Sequence, residues 1–131
     1  MTGLDTNILV RYFAQDDPIQ SRRATELMEN RLSEDEPGFV SLVAMVEMVW
    51  VLGGVYTLSN QEIVSVIERM LQADTLVIQN EQEVFTAAVA LRTGRGSFAD
   101  ALIGALGAWT GCSSTLTFDV KASRLSGFDL F

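Results

Sequence analysis

Histidine is missing from this sequence altogether, and cysteine occurs once, as Cys112. The first absence excludes Ser-His triads, histidine general acid/base pairs and histidine-ligated zinc. The second excludes an internal disulfide and any cysteine cluster. A lone thiol suits a reducing compartment, so a cytoplasmic location is expected. With no histidine to activate it, Cys112 reads as an inert, buried or half-buried thiol. Positive charge is also scarce: 9 Lys+Arg face 17 Asp+Glu, for a net charge of -8. That balance argues against the broad cationic surface of most nucleic-acid binders, unless metal ions supply positive charge locally.

No low-complexity tract, long linker or internal repeat interrupts the 131 residues. With 48% hydrophobic and 20% charged residues they fit a single domain, 1–131, with a real core. The opening MTGLDTNILV has no basic region or cleavage pattern, so no signal peptide is expected. One segment, Phe39 to Leu58, approaches the roughly 20 apolar residues that span a bilayer. Its central Glu47, the Gly53-Gly54 pair and the strand-like entry GFVS favour a core helix instead, and no membrane partner is expected.

What is present alternates. TGLD, GFVS, TLVIQ, STLTF and FDL are short apolar runs bounded by turn formers, each of strand length. Between them lie helical signals. Asp17 as N-cap with Pro18 at the first position opens a helix whose apolar side carries Ile19, Ala24, Leu27, Met28 and Leu32. Ser59 and Glu62 form a capping box ahead of Ile63, Val66, Ile67, Met70 and Leu71. NEQEVFTAAVALRTG and SFADALIGALGAWTG each pair a polar cap with a terminal glycine. Strands alternating with helices imply an α/β fold with a parallel sheet covered on both faces.

The acids fall at telling places on that scaffold. Asp5 and Asp119 each end a strand, and ligands of open parallel sheets gather beyond the strands' carboxyl ends. Glu47 stands alone among ten apolar residues in LVAMVEMVWVL, about one and a half turns into the helix that follows GFVS. Buried there, it needs a counter-charge, a metal or a proton. Asp100 heads a stripe with Gly104, Gly107 and Gly111 at helical spacing, which suggests close backbone approach or a cavity floor. Four converging carboxylates repel one another, at about 4 kcal/mol per pair 4 Å apart for an effective dielectric near 20. Divalent cations remove that repulsion, and a donor set of oxygens alone favours magnesium or manganese. Such a site suits phosphodiester hydrolysis.

GLDTNILV, SLVAMVEMVWVL, FADALIGALG and TLTFDVKA, in this order and at these separations, resemble the PIN-domain family, most closely its VapC-type toxin ribonucleases. The resemblance spans essentially the whole chain. It implies a three-layer, Rossmann-like α/β/α sandwich with a mostly parallel sheet of four or five strands. It further implies a Mg2+- or Mn2+-dependent endoribonuclease, commonly a homodimer, inhibited by a cognate antitoxin. On the matching positions, Asp5 and Asp100 are the principal metal ligands, Glu47 the third acid, and Asp119 a fourth that completes the metal site directly or through water. Thr6, Asn7 and Thr117 orient carboxylates or water behind them. RNA grip has to come from a local patch, for which Arg11, Arg92, Arg95, Lys121 and Arg124 are candidates.

Each acid also has an ordinary reading. Asp5-Thr6-Asn7 can cap a helix, Asp100 complements a helix dipole, and Asp119 is a common turn residue. Glu47 could pair with an arginine such as Arg11. A non-catalytic module of the same fold, binding a partner protein through its acidic pocket, is the rival function. An Asp-x-Asp phosphatase would need a second acid where Asn7 stands.

Overall fold

A computed structural model describes all 131 residues, which form two compact units, Met1–Gln79 and Asn80–Phe131. In the first unit the order is β1 (Thr2–Gly3), α1 (Thr6–Ala14), α2 (Pro18–Glu26), a π-helical turn (Leu27–Arg31), β2 (Gly38–Val40), α3 (Leu42–Gly54), α4 (Asn60–Gln72) and β3 (Leu76–Ile78). The strands lie in the order β1-β2-β3, all parallel, with Thr2 opposite Gly38 and Phe39 opposite Val77. Parallel neighbours need crossovers, and the helix pairs α1-α2 and α3-α4 provide them. Helices α1 and α3 therefore start just past the carboxyl ends of β1 and β2.

The caps behave as local chemistry demands. Asp17 accepts from the amides of Ile19 and Gln20 with Pro18 at the first position, and Ser59 with Glu62 closes a reciprocal capping box. Leu9, Val40, Met45, Met48, Leu52, Ile67 and Met70 are fully buried, and burial of such a side chain contributes about 1.5–3 kcal/mol. The apolar side of α2 is less complete than its sequence implies. Ala24, Met28 and Leu32 are buried, but Ile19 is exposed and the helix turns π-helical at Leu27. Helix α3 has 13 residues, and no helix is long and apolar enough to cross a membrane.

The second unit holds α5 (Glu81–Arg92), α6 (Phe98–Thr110), β4 (Thr115–Thr117), a 3-10 turn (Ala122–Arg124) and β5 (Phe128–Leu130). Strands β4 and β5 are parallel, with Thr115 opposite Phe128, and α5 packs along α6. Asn80, expected to cap α5 through its side chain, instead adopts a left-handed backbone and donates from Nδ2 to Glu83 Oε1 at 2.9 Å. Gly111 ends α6 at φ 105, a conformation that favours glycine. All five expected strands exist and pair only in parallel. They form a three-stranded and a two-stranded ladder where a single sheet of four or five strands was expected. Cys112 is exposed rather than buried, because it follows the Gly111 cap in the loop out of α6.

Candidate functional site

Asp5 is the N-cap of α1, with extended backbone at φ -80 and ψ 159. A capping carboxylate usually accepts from the second or third amide of its helix. Here Asp5 Oδ1 accepts from the first, Thr6 N, at 2.7 Å. Thr6 then uses its side chain in a different direction, its Oγ1 donating to Glu47 Oε1 at 2.8 Å. One residue thus engages two carboxylates carried by different helices, and α1 packing on α3 is what brings them within reach. Each acid keeps one oxygen that accepts no bond from the protein. Asn7 is exposed, and its side chain makes no hydrogen bond.

Glu47 is not buried, which corrects the premise that singled it out. Helix α3 turns Ala44, Met45, Met48 and Leu52 inward, and Glu47 lies well around the cylinder from them, exposed, between Val43 at 70% and Trp50 at 73% exposure. The apolar stripe flanking the acid is therefore the unusual feature of this helix. Arg11 is not its partner either. The Arg11 guanidinium binds Gln20 Oε1 at 2.9 Å, Tyr56 OH at 2.9 Å and Asp16 at 3.3 Å. Its hydrogen bond donated to Tyr56 foremost, and then Asp16's charge, hold the Arg11 pKa above its usual value against desolvation.

In the second unit, Ser97 caps α6 by accepting from Asp100 N at 3.1 Å, which sets Asp100 in the first turn. The Asp100 side chain is half-buried and has no hydrogen-bond partner. Asp119 sits just past β4. Its Oδ1 accepts from Lys121 N at 2.8 Å and Ala122 N at 3.4 Å, while its own amide donates to Thr117 Oγ1 at 3.0 Å. The glycine stripe on α6 has an explanation other than a cavity floor. A Cβ on Gly104 would stand 2.4 Å from a carbon of the Phe128 ring, and one on Gly107 3.2 Å from Thr115 Oγ1. Gly104 and Gly107 thus make room for the unit's own strands, and Gly111 ends the helix.

Oxygen donors that are each held on one side and open on the other suit a hard divalent cation, and Asp5, Glu47 and Asp119 have that form. Three acidic, histidine or cysteine side chains are nowhere gathered tightly enough to hold an ion by themselves. Of the basic residues considered for RNA grip, Arg11 is engaged as described. Arg95, Lys121 and Arg124 line one groove of about 560 Å³ with Gly94, Gly96 and Ser126. The sequence named these three cations but offered no signal that they share a groove.

Parallel strands, six helices and acids just beyond strand ends define an α/β architecture. The PIN-domain profile matches residues 4–127, and the chain belongs to that family. PIN domains are typically nucleases that use divalent metals. No curated protein matches the chain.

Proposed function

We propose that this PIN domain is a Mg2+- or Mn2+-dependent endoribonuclease, the toxin of a toxin–antitoxin pair. It acts as a homodimer in the cytoplasm and is restrained by a cognate antitoxin. The whole chain, 1–131, serves as one domain. The observation that carries the reading is the Thr6 tie: a single residue fixes one oxygen of Asp5 and one of Glu47 and leaves the others open. The tie joins carboxylates from two different helices, which a helix cap alone does not require.

Asp5, Asp100 and Asp119 would hold the ion, with Glu47 as the fourth carboxylate of the reaction. When bound, a divalent cation neutralises charge on the phosphodiester and lowers the pKa of the attacking water. Thr6 orients Asp5 and Glu47, Thr117 supports the turn that carries Asp119, and Asn7 would orient a carboxylate or water. The family membership supports this reading, since PIN nucleases bind RNA and often antitoxins.

The test is cleavage of labelled RNA with Mg2+ or Mn2+ by wild type, Asp5→Asn and Asp100→Asn. Cleavage by wild type alone, and its loss in EDTA, is the expected result. Cleavage that survives EDTA and both substitutions contradicts the mechanism. A folded wild type that cuts no RNA supports the module that binds a partner protein through its acids.

A further inference from the structure

The groove lined by Arg95, Lys121 and Arg124 gathers three of the protein's nine cations in a chain of net charge -8. No acid lines it, and none of the three side chains has a hydrogen bond or ion pair. Like charges left together without a counter-charge repel, so the arrangement favours an anionic ligand. At about 560 Å³ the groove falls in the range of small-ligand sites, roughly 300–1,000 Å³.

Its walls are fixed to each other. A Cβ on Gly96 would meet Leu125 Cδ1 at 2.9 Å, and Leu125 is buried. The loop before α6 and the turn after β4 are thus locked together within one unit. Both segments run directly into acids: Arg95 precedes Asp100 by five positions, and the Lys121 amide is itself bonded to Asp119. An anion in the groove is therefore chained to the same segments that carry two of the proposed catalytic carboxylates.

We infer that this groove grips the sugar–phosphate backbone of single-stranded RNA beside the bond to be cut. This rests on the nuclease reading and assigns that reading its substrate-holding residues. Arg95, Lys121 and Arg124 each neutralise a phosphate, which explains how an acidic protein holds a polyanion without a basic surface.

The test is fluorescence anisotropy of a labelled single-stranded oligoribonucleotide in metal-free buffer across a KCl series. It compares wild type with the triple variant Arg95→Ala/Lys121→Ala/Arg124→Ala and with the control Arg22→Ala/Arg23→Ala, exposed arginines of α2 outside the groove. The triple variant should bind at least tenfold more weakly at low salt. Its slope of log K against log salt should be shallower by about 2, from roughly 0.7 per lost phosphate contact, while the control stays at wild type. An unchanged slope, or an equal loss in the control, overturns the inference. So does a polyglutamate peptide that displaces the RNA at equal charge concentration. Should the triple variant fail to fold, Arg124→Glu repeats the comparison with one site changed. The two readings fail separately. A wild type that cuts RNA with an unchanged slope overturns the groove alone, and a changed slope with no cleavage overturns the nuclease reading and leaves the groove as an RNA-binding site without a bond to cut.

Discussion

The first unit holds Glu47 with a hydroxyl 41 positions away in sequence, whereas the second holds Asp119 with amides two and three positions ahead. Glu47 depends on α1 packing against α3, so its placement is a property of the folded core. Asp119 depends on a turn, and the turn carries its own donors. Threonine serves both acids, but Thr6 reaches across helices while Thr117 accepts from the neighbouring acid's own amide. An acid tied across the core is fixed precisely only while that core is intact, and an acid tied to its own turn tolerates perturbation elsewhere.

The largest effect that would sharpen this contrast is on metal-supported activity. Thr6→Val removes the only hydroxyl donor to Glu47, and loss of such a supporting group costs about 10- to 100-fold in metal affinity or rate. Thr117→Val leaves both amide bonds to Asp119 in place and should cost only a few-fold, measured as RNA cleavage rate at limiting Mn2+. Equal losses in the two variants would erase the distinction between the units.

A smaller effect concerns stability in the second unit. Gly104→Ala drives a methyl into the Phe128 ring, and overpacking of that kind costs about 1–3 kcal/mol. Better helix propensity of alanine offsets up to about 1 kcal/mol. A net loss in urea unfolding is expected, while Asp119, tied to its own turn, keeps its amide protection in hydrogen exchange. Loss of that protection would show that the turn leans on the core after all.

The smallest effect belongs to the first unit's surface. Asp16 has its pKa lowered chiefly by the hydrogen bond from Tyr56, then by backbone amides and Arg11, against desolvation. A carboxyl depressed in the folded state stabilises above its unfolded pKa, about 3.9, and that contribution is lost as pH falls through the lower folded value. Tyr56→Phe should therefore lose less stability than wild type between neutral pH and about pH 3. Parallel acid limbs for the two proteins would remove Tyr56 as the cause.

What the sequence made legible follows the same divide between local and long-range causes. The Asp17 cap, the Ser59-Glu62 box, the Ser97 cap and the Gly111 terminus are chemistry within four residues, and they were readable as such. The five strands were readable from short apolar runs between turn formers. The exposure of Glu47 was not, because in a helix of nearly uniform apolarity the pattern does not reveal which side meets water. Nor was the reason for Gly104, since Phe128 comes from 24 positions later. The Thr6-Glu47 tie and the shared groove of Arg95, Lys121 and Arg124 are likewise products of tertiary packing.

The central claim is that Asp5 and Asp100 are ligands of a divalent metal. Calorimetric titration of Mn2+ into wild type, Asp5→Asn and Asp100→Asn tests it most directly. The account predicts one binding event in wild type that is weakened at least tenfold by either substitution alone. Wild-type affinity retained in either folded variant would contradict it.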